Sequence, residues 1–328
     1  MDSKPTIADV LKARLTIKPY LSRTPLISYP MLNDLLAAEV YVKREDCQPT
    51  SSFKVRGGVN LAVTLSKDER MTGIVGASTG NHGQSLAYAA RLVGVQCVIC
   101  VPELANPAKV AAMRSLGAEV RFHGSIFDDA LEYSERLATE LGLRYVHSAN
   151  EPLLIAGVAT AALEILEEIP DLDFLFVPLG GGSGAAGACI VAKALQPMTK
   201  VIAVQSAQAP AGYESWRSKR LVEMPMTSVA EGLATRSGYE LPQQILRDTL
   251  DDFLLVTDSE MESAIVQYLE SCHVLTEHAG AAALAGALKT REHLSGKKVA
   301  LILSGANITL SQLRTAMEHG ESHISASQ

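Results

Sequence analysis

The chain has 328 residues, with 29 Lys and Arg against 36 Asp and Glu for a formal net charge of −7, and 47% of its residues are hydrophobic. That length suggests about two domains, and the apolar content is enough for large cores, which excludes a disordered chain. The acidic balance argues against nucleic acid or an anionic membrane as a partner, because either needs clustered Lys and Arg. A phosphate ligand would therefore have to be held locally, by backbone.

The first residues, M-D-S-K-P, are followed by no apolar stretch, and no apolar run reaches the length of about 18 residues that a membrane span needs, so a cytoplasmic protein is expected. Short Val- and Ile-rich runs then alternate with stretches of helical period, the pattern of an α/β protein with mostly parallel sheets. The spacing predicts strands at 39–43, 73–76, 95–101, 119–122, 174–179, 201–204, 253–256 and 299–303. Helices are predicted at 81–92, 109–116, 128–141, 153–168 and 185–195, among others. Between about 206 and 241 a polar stretch breaks the alternation, so it is either functional or holds short elements. The polar tail from His319 lacks a stop signal and is expected to fray.

The five cysteines are scattered and make a poor disulfide framework. Cys97 and Cys100 fall three apart in a predicted strand, hence on opposite faces, which suits core packing rather than a shared metal. His319 and His323 lie four apart but lack further ligands, so no metal site is expected.

Four segments could carry chemistry. After the apolar F-L-F-V comes P-L-G-G-G-S-G-A-A-G (178–187), where a strand enters an Ala-rich helix through clustered glycines. Such a turn aims backbone N–H groups and the helix dipole at one point, an anion cradle needing no cationic side chain. The same stretch contains G-x-G-x-x-G at Gly182, Gly184 and Gly187, but the next strand ends at Gln205, not at the acidic residue that would take a dinucleotide ribose.

In P-T-S-S-F-K-V-R-G-G (49–58), Lys54 sits among apolar and small neighbours that could desolvate it and favour the nucleophilic amine of a Schiff base. In A-S-T-G-N-H-G-Q (77–84), hydroxyls and a glycine open a helix and make a second anion site sized for a carboxylate, although Ser78 or Thr79 could be a plain N-cap. In L-I-L-S-G-A-N (301–307), Ser304 closes a strand at the edge where open α/β sheets place ligand contacts.

In this order, S-F-K-V-R-G, S-T-G-N-H-G, G-G-G-S-G and L-S-G-A-N resemble the pyridoxal-phosphate enzymes of fold type II, within them the threonine/serine dehydratases and serine racemases. The likeness spans about 23–314 and leans towards threonine dehydratases, which share a motif like H-G-x-x-F-D-x-A at 123–130. It implies two open, mostly parallel twisted sheets with flanking helices, a large domain of 1–72 and 151–328, a small domain of 73–150, and pyridoxal 5'-phosphate in the cleft between them. It implies a homodimer or higher homo-oligomer acting on a small amino acid. After about Arg314 it leaves no room for a C-terminal regulatory domain.

By the same resemblance Lys54 is the Schiff-base and catalytic lysine, Phe53 packs near the ring and Asn81 bonds its phenolic oxygen. Gly180, Gly181, Gly182, Ser183 and Gly184 hold the phosphate, and Ser304 faces the pyridine nitrogen, where a neutral hydroxyl makes a weaker electron sink and favours β-elimination. Ser78, Thr79, Asn81 and His82 receive the substrate carboxylate. The implied reaction is dehydration of L-threonine or L-serine to a 2-oxo acid and ammonia; 3-hydroxyaspartate or phenylserine are alternative substrates.

A racemase is the rival, with Thr79 as the second base where racemases have serine. Gln205, Ala209 and Ala211 supply none of the carboxylates of the group's divalent-cation site, and His278 stands where the family usually shows proline.

Overall fold

The computed structural model describes residues 4–326. In chain order its strands are β1 (Leu26–Ser28), β2 (Glu39–Arg44), β3 (Ile74–Ala77), β4 (Cys97–Val101), β5 (Glu119–Phe122), β6 (Arg144–Tyr145), β7 (Phe174–Pro178), β8 (Lys200–Ser206), β9 (Asp252–Val256) and β10 (Lys298–Leu303). Its α-helices are α1 (Ile7–Ile17), α2 (Pro30–Leu36), α3 (Lys54–Thr64), α4 (Lys67–Thr72), α5 (Asn81–Val93), α6 (Pro107–Ser115), α7 (Phe127–Leu141), α8 (Pro152–Glu168), α9 (Ser183–Leu195), α10 (Ala211–Ser218), α11 (Glu240–Thr249), α12 (Asp258–Cys272), α13 (His278–Lys289) and α14 (Leu310–Ala326). The α/β class and its two mostly parallel sheets are those expected from the sequence, and each predicted strand is present to within two residues at either end.

The chain divides into two compact units, 1–22 with 54–160 and 23–53 with 161–328. The first holds a four-stranded sheet in the order β5-β4-β3-β6, parallel throughout. All four strands lie inside the span expected for the small domain. Helices α1, α3 and α4 and the start of α8 group with this sheet as well. Helix α3 packs closely on α5 and on the start of α8, α1 shares a core with α3, and Glu69 of α4 pairs with Arg144 of β6.

Side-chain alternation along β4 is visible in its burial. Cys97, Ile99 and Val101 join one core with α5 and α6, and Val98 and Cys100 join another with α7. Burial pushes the two thiols up to about 12 and about 11, so they are inert core residues on opposite faces.

The second unit holds a six-stranded sheet in the order β1-β2-β10-β7-β8-β9, parallel except for the edge strand β1. Phe176, Ile202, Val204 and Leu301 pack with the Ala-rich helix α13 in one core. Their neighbours Leu175, Val177, Val201, Ala203 and Ala300 point the other way and are buried too, which is why these strands read as unbroken apolar runs. Next to this core, Lys43 of β2 pairs with Glu164 of α8 at 2.7 Å, both buried, and donates to the Thr24 carbonyl at 2.8 Å.

Helix α10 and a loop occupy the polar stretch at 206–241. Asp258, at the start of α12, accepts bonds from Ser206, Ser228 and the Val229 N–H and so anchors that loop. Helix α14 runs through the polar stretch after His319 to Ala326, and His319 Nδ1 lies 3.1 Å from Glu262 Oε2 of α12. The side chain of His323 and the last two residues fall outside the described part.

Candidate active site

In the larger unit β7 and β10 are parallel neighbours, with Leu301 opposite Phe176, so Leu179 and Ser304 emerge from the same sheet edge. From this edge the chain enters α9 through the glycines. Gly182 is the N-cap at φ +94°, a conformation that favours glycine, and a Cβ there would meet Pro242 Cβ at 2.8 Å. A Cβ on Gly180 would lie 2.1 Å from the Gly232 carbonyl oxygen. These positions are closed to any side chain, and the first-turn N–H groups of α9 have no intrahelical acceptors.

Phe53 and Ser304 are joined directly: the Phe53 N–H donates to the Ser304 carbonyl at 3.0 Å. The Phe53 ring edge would be 3.1 Å from a Cβ on Gly184, so ring, serine and glycine turn share one corner. Gly305 is fixed beside them by bonds to its carbonyl from Thr276 Oγ1 at 2.8 Å and the Glu277 N–H at 3.2 Å. Ser183 is buried and contributes its backbone at the start of α9.

In the smaller unit Lys54 is the first residue of α3. The residue keeps some accessible surface, but the amine is enclosed, and desolvation pushes its pKa down to about 8. Asn81 and His82 open α5. His82 is pushed down to about 3, first by burial and then by the charges of Lys54 and His147, so its imidazole is neutral and its Nε2 has no hydrogen-bond partner. Ser78 Oγ accepts the N–H groups of Gly80 and Gly83 at 3.2 and 2.9 Å, so it is both a helix cap and a hydroxyl at the expected carboxylate site. Thr79 and Asn81 are partly exposed.

Two residues beside Lys54 and His82 carry no motif of their own. His147 lies near His82 and contributes to its lowered pKa, its own pKa is lowered by burial, and its Nδ1 accepts the Ala149 and Asn150 N–H groups, each at 3.0 Å. Ser85 donates from Oγ to the Lys54 carbonyl at 2.7 Å. The only sequence signal for Ser85 was its place one helical turn after Asn81.

Gln205 is fully buried, and its side-chain oxygen accepts the Tyr213 N–H at 2.9 Å, so the residue stitches the loop after β8 to its own strand. Among the described residues no group of three or more His, Cys, Asp or Glu could hold a metal ion. His278 opens α13 and is buried, with Nε2 3.9 Å from Glu262 Oε1, beyond hydrogen-bond reach. Its pKa is lowered chiefly by burial.

These features fit pyridoxal phosphate. A turn of bare backbone, closed to a Cβ at Gly180 and Gly182, suits a phosphate, and a buried amine of lowered pKa suits covalent attachment of an aldehyde. A model of the family described as pyridoxal-phosphate dependent enzymes matches residues 17–305. An L-threo-3-hydroxyaspartate ammonia-lyase of Saccharomyces cerevisiae is 37% identical over 97% of this chain and 98% of its own. An L-threonine ammonia-lyase of Thermotoga maritima is 36% identical over 96% of this chain and 79% of its own. A serine racemase from Dictyostelium discoideum of known structure superposes with a TM-score of 0.88 at 32% identity, covering 94% of this chain and 100% of that one. With the motifs, the fold and the site in agreement, the chain belongs to the pyridoxal-phosphate-dependent enzyme family.

Proposed function

We propose that this enzyme is an ammonia-lyase that dehydrates a hydroxy-amino acid, L-threonine or L-serine first, to a 2-oxo acid and ammonia. The observation that carries the reading is the enclosed Lys54 amine, poised near neutrality, in a chain that also has a glycine cradle at the start of α9. By the motif resemblance the backbone N–H groups of Gly180 to Gly184 would hold the phosphate of pyridoxal phosphate, Phe53 would flank the ring, Ser304 would serve the ring nitrogen and Asn81 its phenolic oxygen. When bound, the cofactor supplies an electron sink for the charge that develops at the substrate's Cα.

The residues of the chain do the rest. Ser78, Thr79, Asn81 and His82 would receive the substrate carboxylate at the start of α5, with the neutral His82 ring bringing no competing charge. Lys54, once its amine is free, takes the Cα proton; a pKa of about 8 keeps an appreciable fraction of that amine basic near neutral pH. The β-hydroxyl takes up one proton, equal to the one Lys54 removed from Cα, and leaves as water; hydrolysis of the released enamine gives the oxo acid and ammonia. The neutral Ser304 hydroxyl would place no acid beside the ring nitrogen, a weaker electron sink that favours elimination.

The test is an oxo-acid and ammonia assay over threonine, serine, 3-hydroxyaspartate and phenylserine. Oxo acid from at least one of them, abolished in Lys54→Ala, supports the reading; none from any refutes it. The partly exposed Thr79 supports a second reading, a racemase with Thr79 and Lys54 as opposed bases. Chiral inversion exceeding oxo-acid formation, and lost in Thr79→Ala, would favour it.

We further propose that the enzyme works in the cytoplasm as a homodimer or larger homo-oligomer. The motif resemblance supports this; among the described residues no helix is long and apolar enough to cross a membrane. Light scattering after size exclusion tests the assembly.

A further inference from the structure

We infer that Ser85 is a positioning residue for Lys54, fixing the first turn of α3 to α5 so that the amine returns to one place after each release of product. The inference rests on the reading of Lys54 given above.

Lys54 opens α3, and the first turn of a helix is where its backbone is least restrained, because its leading N–H groups have no intrahelical acceptors. Ser85 Oγ reaches across from α5 and donates to the Lys54 carbonyl at 2.7 Å. A serine inside a helix usually turns its hydroxyl back to the carbonyl four residues earlier; this one bonds another helix. The residue is fully buried, so water does not compete for the bond.

Helix α3 makes room for that hydroxyl. A Cβ on Gly58 would lie 2.3 Å from Ser85 Oγ and 2.8 Å from the Ser85 carbonyl oxygen. A glycine inside a helix weakens it, and here the lost propensity is exchanged for close approach to α5. Ser85 is also one turn beyond Asn81 and three residues beyond His82, and those residues open the helix that carries the expected carboxylate site. One hydroxyl therefore sets the register between the backbone of the reactive lysine and the segment that receives substrate. Residues that hold a reactive group to within a fraction of an ångström are worth large rate factors without touching substrate.

The test compares wild type, Lys54→Ala, Ser85→Ala and Gly58→Ala. It measures the rate at which each apo-protein captures pyridoxal phosphate, followed by visible absorbance, and then kcat and KM of the loaded enzymes. Ser85→Ala is expected to lose about tenfold in capture rate and in kcat per bound cofactor, with KM for the amino acid within twofold. Gly58→Ala should show the same split although alanine is the better helix former, because its Cβ drives the hydroxyl off the Lys54 carbonyl. It also keeps the test open should Ser85→Ala fail to fold.

Capture rate and kcat within twofold of wild type in a folded variant would overturn the positioning role, as would a fall in melting temperature with no change in either. Failure of the underlying reading looks different. A wild type that captures no cofactor, or a Lys54→Ala that captures it normally, would remove the assignment of Lys54, and the role of Ser85 with it.

Discussion

Gly182→Ala puts a methyl group where the phosphate cradle has none. At φ +94° and ψ −6° the residue lies in the left-handed region, where a side chain costs about 1–2 kcal/mol. The new Cβ would also lie 2.8 Å from Pro242 Cβ and 3.6 Å from its Cγ. A proline ring cannot rotate away, so the packing must shift, at a further cost of about 1–3 kcal/mol. The sum of about 2–5 kcal/mol corresponds, at about 2–4 °C per kcal/mol for a unit of this size, to a fall in Tm of roughly 4–20 °C.

Gly296→Ala is the control in the same unit: its φ is +70°, but no atom lies within 4 Å of the added Cβ, so only the backbone cost of about 1–2 kcal/mol applies. Thermal unfolding followed by circular dichroism, with a cofactor titration at 25 °C, separates the two. Gly182→Ala should melt well below Gly296→Ala and bind pyridoxal phosphate at least tenfold more weakly, since the first N–H groups of α9 turn away from the phosphate. If the two variants melt within a degree of each other and bind alike, the cradle argument is wrong.

Cofactor capture by the apo-protein should rise with pH through about 8, where the Lys54 amine loses its proton, and not through the ordinary lysine range; a midpoint near 10 in stopped-flow absorbance would contradict the enclosed amine. Glu164→Gln leaves the buried Lys43 ammonium without its carboxylate and should cost about 3–5 kcal/mol in urea unfolding, most of it recovered by also replacing Lys43 with methionine. His82 and His278 have lowered pKa values in the folded protein, so between about pH 6.5 and the lower folded values the unfolded chain binds more protons and stability falls as pH falls. His278→Pro should remove part of that acid loss in melting curves taken between pH 7.5 and 4.5. Proline is favoured at the first helical position, and the preceding Glu277 is already extended at φ −85° and ψ 167°. An acid limb as steep as that of the wild type would show that His278 carries none of it.

What could be read from the sequence was set by which structures are local. The inner strands β7, β8 and β10 of the six-stranded sheet are buried on both faces, so their apolar runs stand out, and the glycines of 180–184 announce a strand-to-helix turn by composition alone. Strands β1 and β6 have three and two residues and exist only through pairing with β2 and β3, a non-local fact. Helix α10 begins within a polar stretch and is fixed by the Trp216 indole donating to the Leu246 carbonyl at 3.2 Å, across 30 residues of chain.

The candidate site divides in the same way. Lys54, Asn81 and Ser304 are marked by motif, but Ser85 and His147 gain meaning only from what folding places beside them. Gln205 was legible as the absence of a carboxylate, and its bond to the Tyr213 N–H was not.

The most direct measurement is the absorption spectrum of the purified, cofactor-loaded protein, followed by borohydride reduction and peptide mapping, in wild type and in Lys54→Ala. The wild type is expected to show visible absorbance that reduction removes, leaving the cofactor's mass on the peptide containing Lys54, and the variant to show neither signal. Unchanged visible absorbance in Lys54→Ala, or cofactor mass fixed on another lysine, would contradict it.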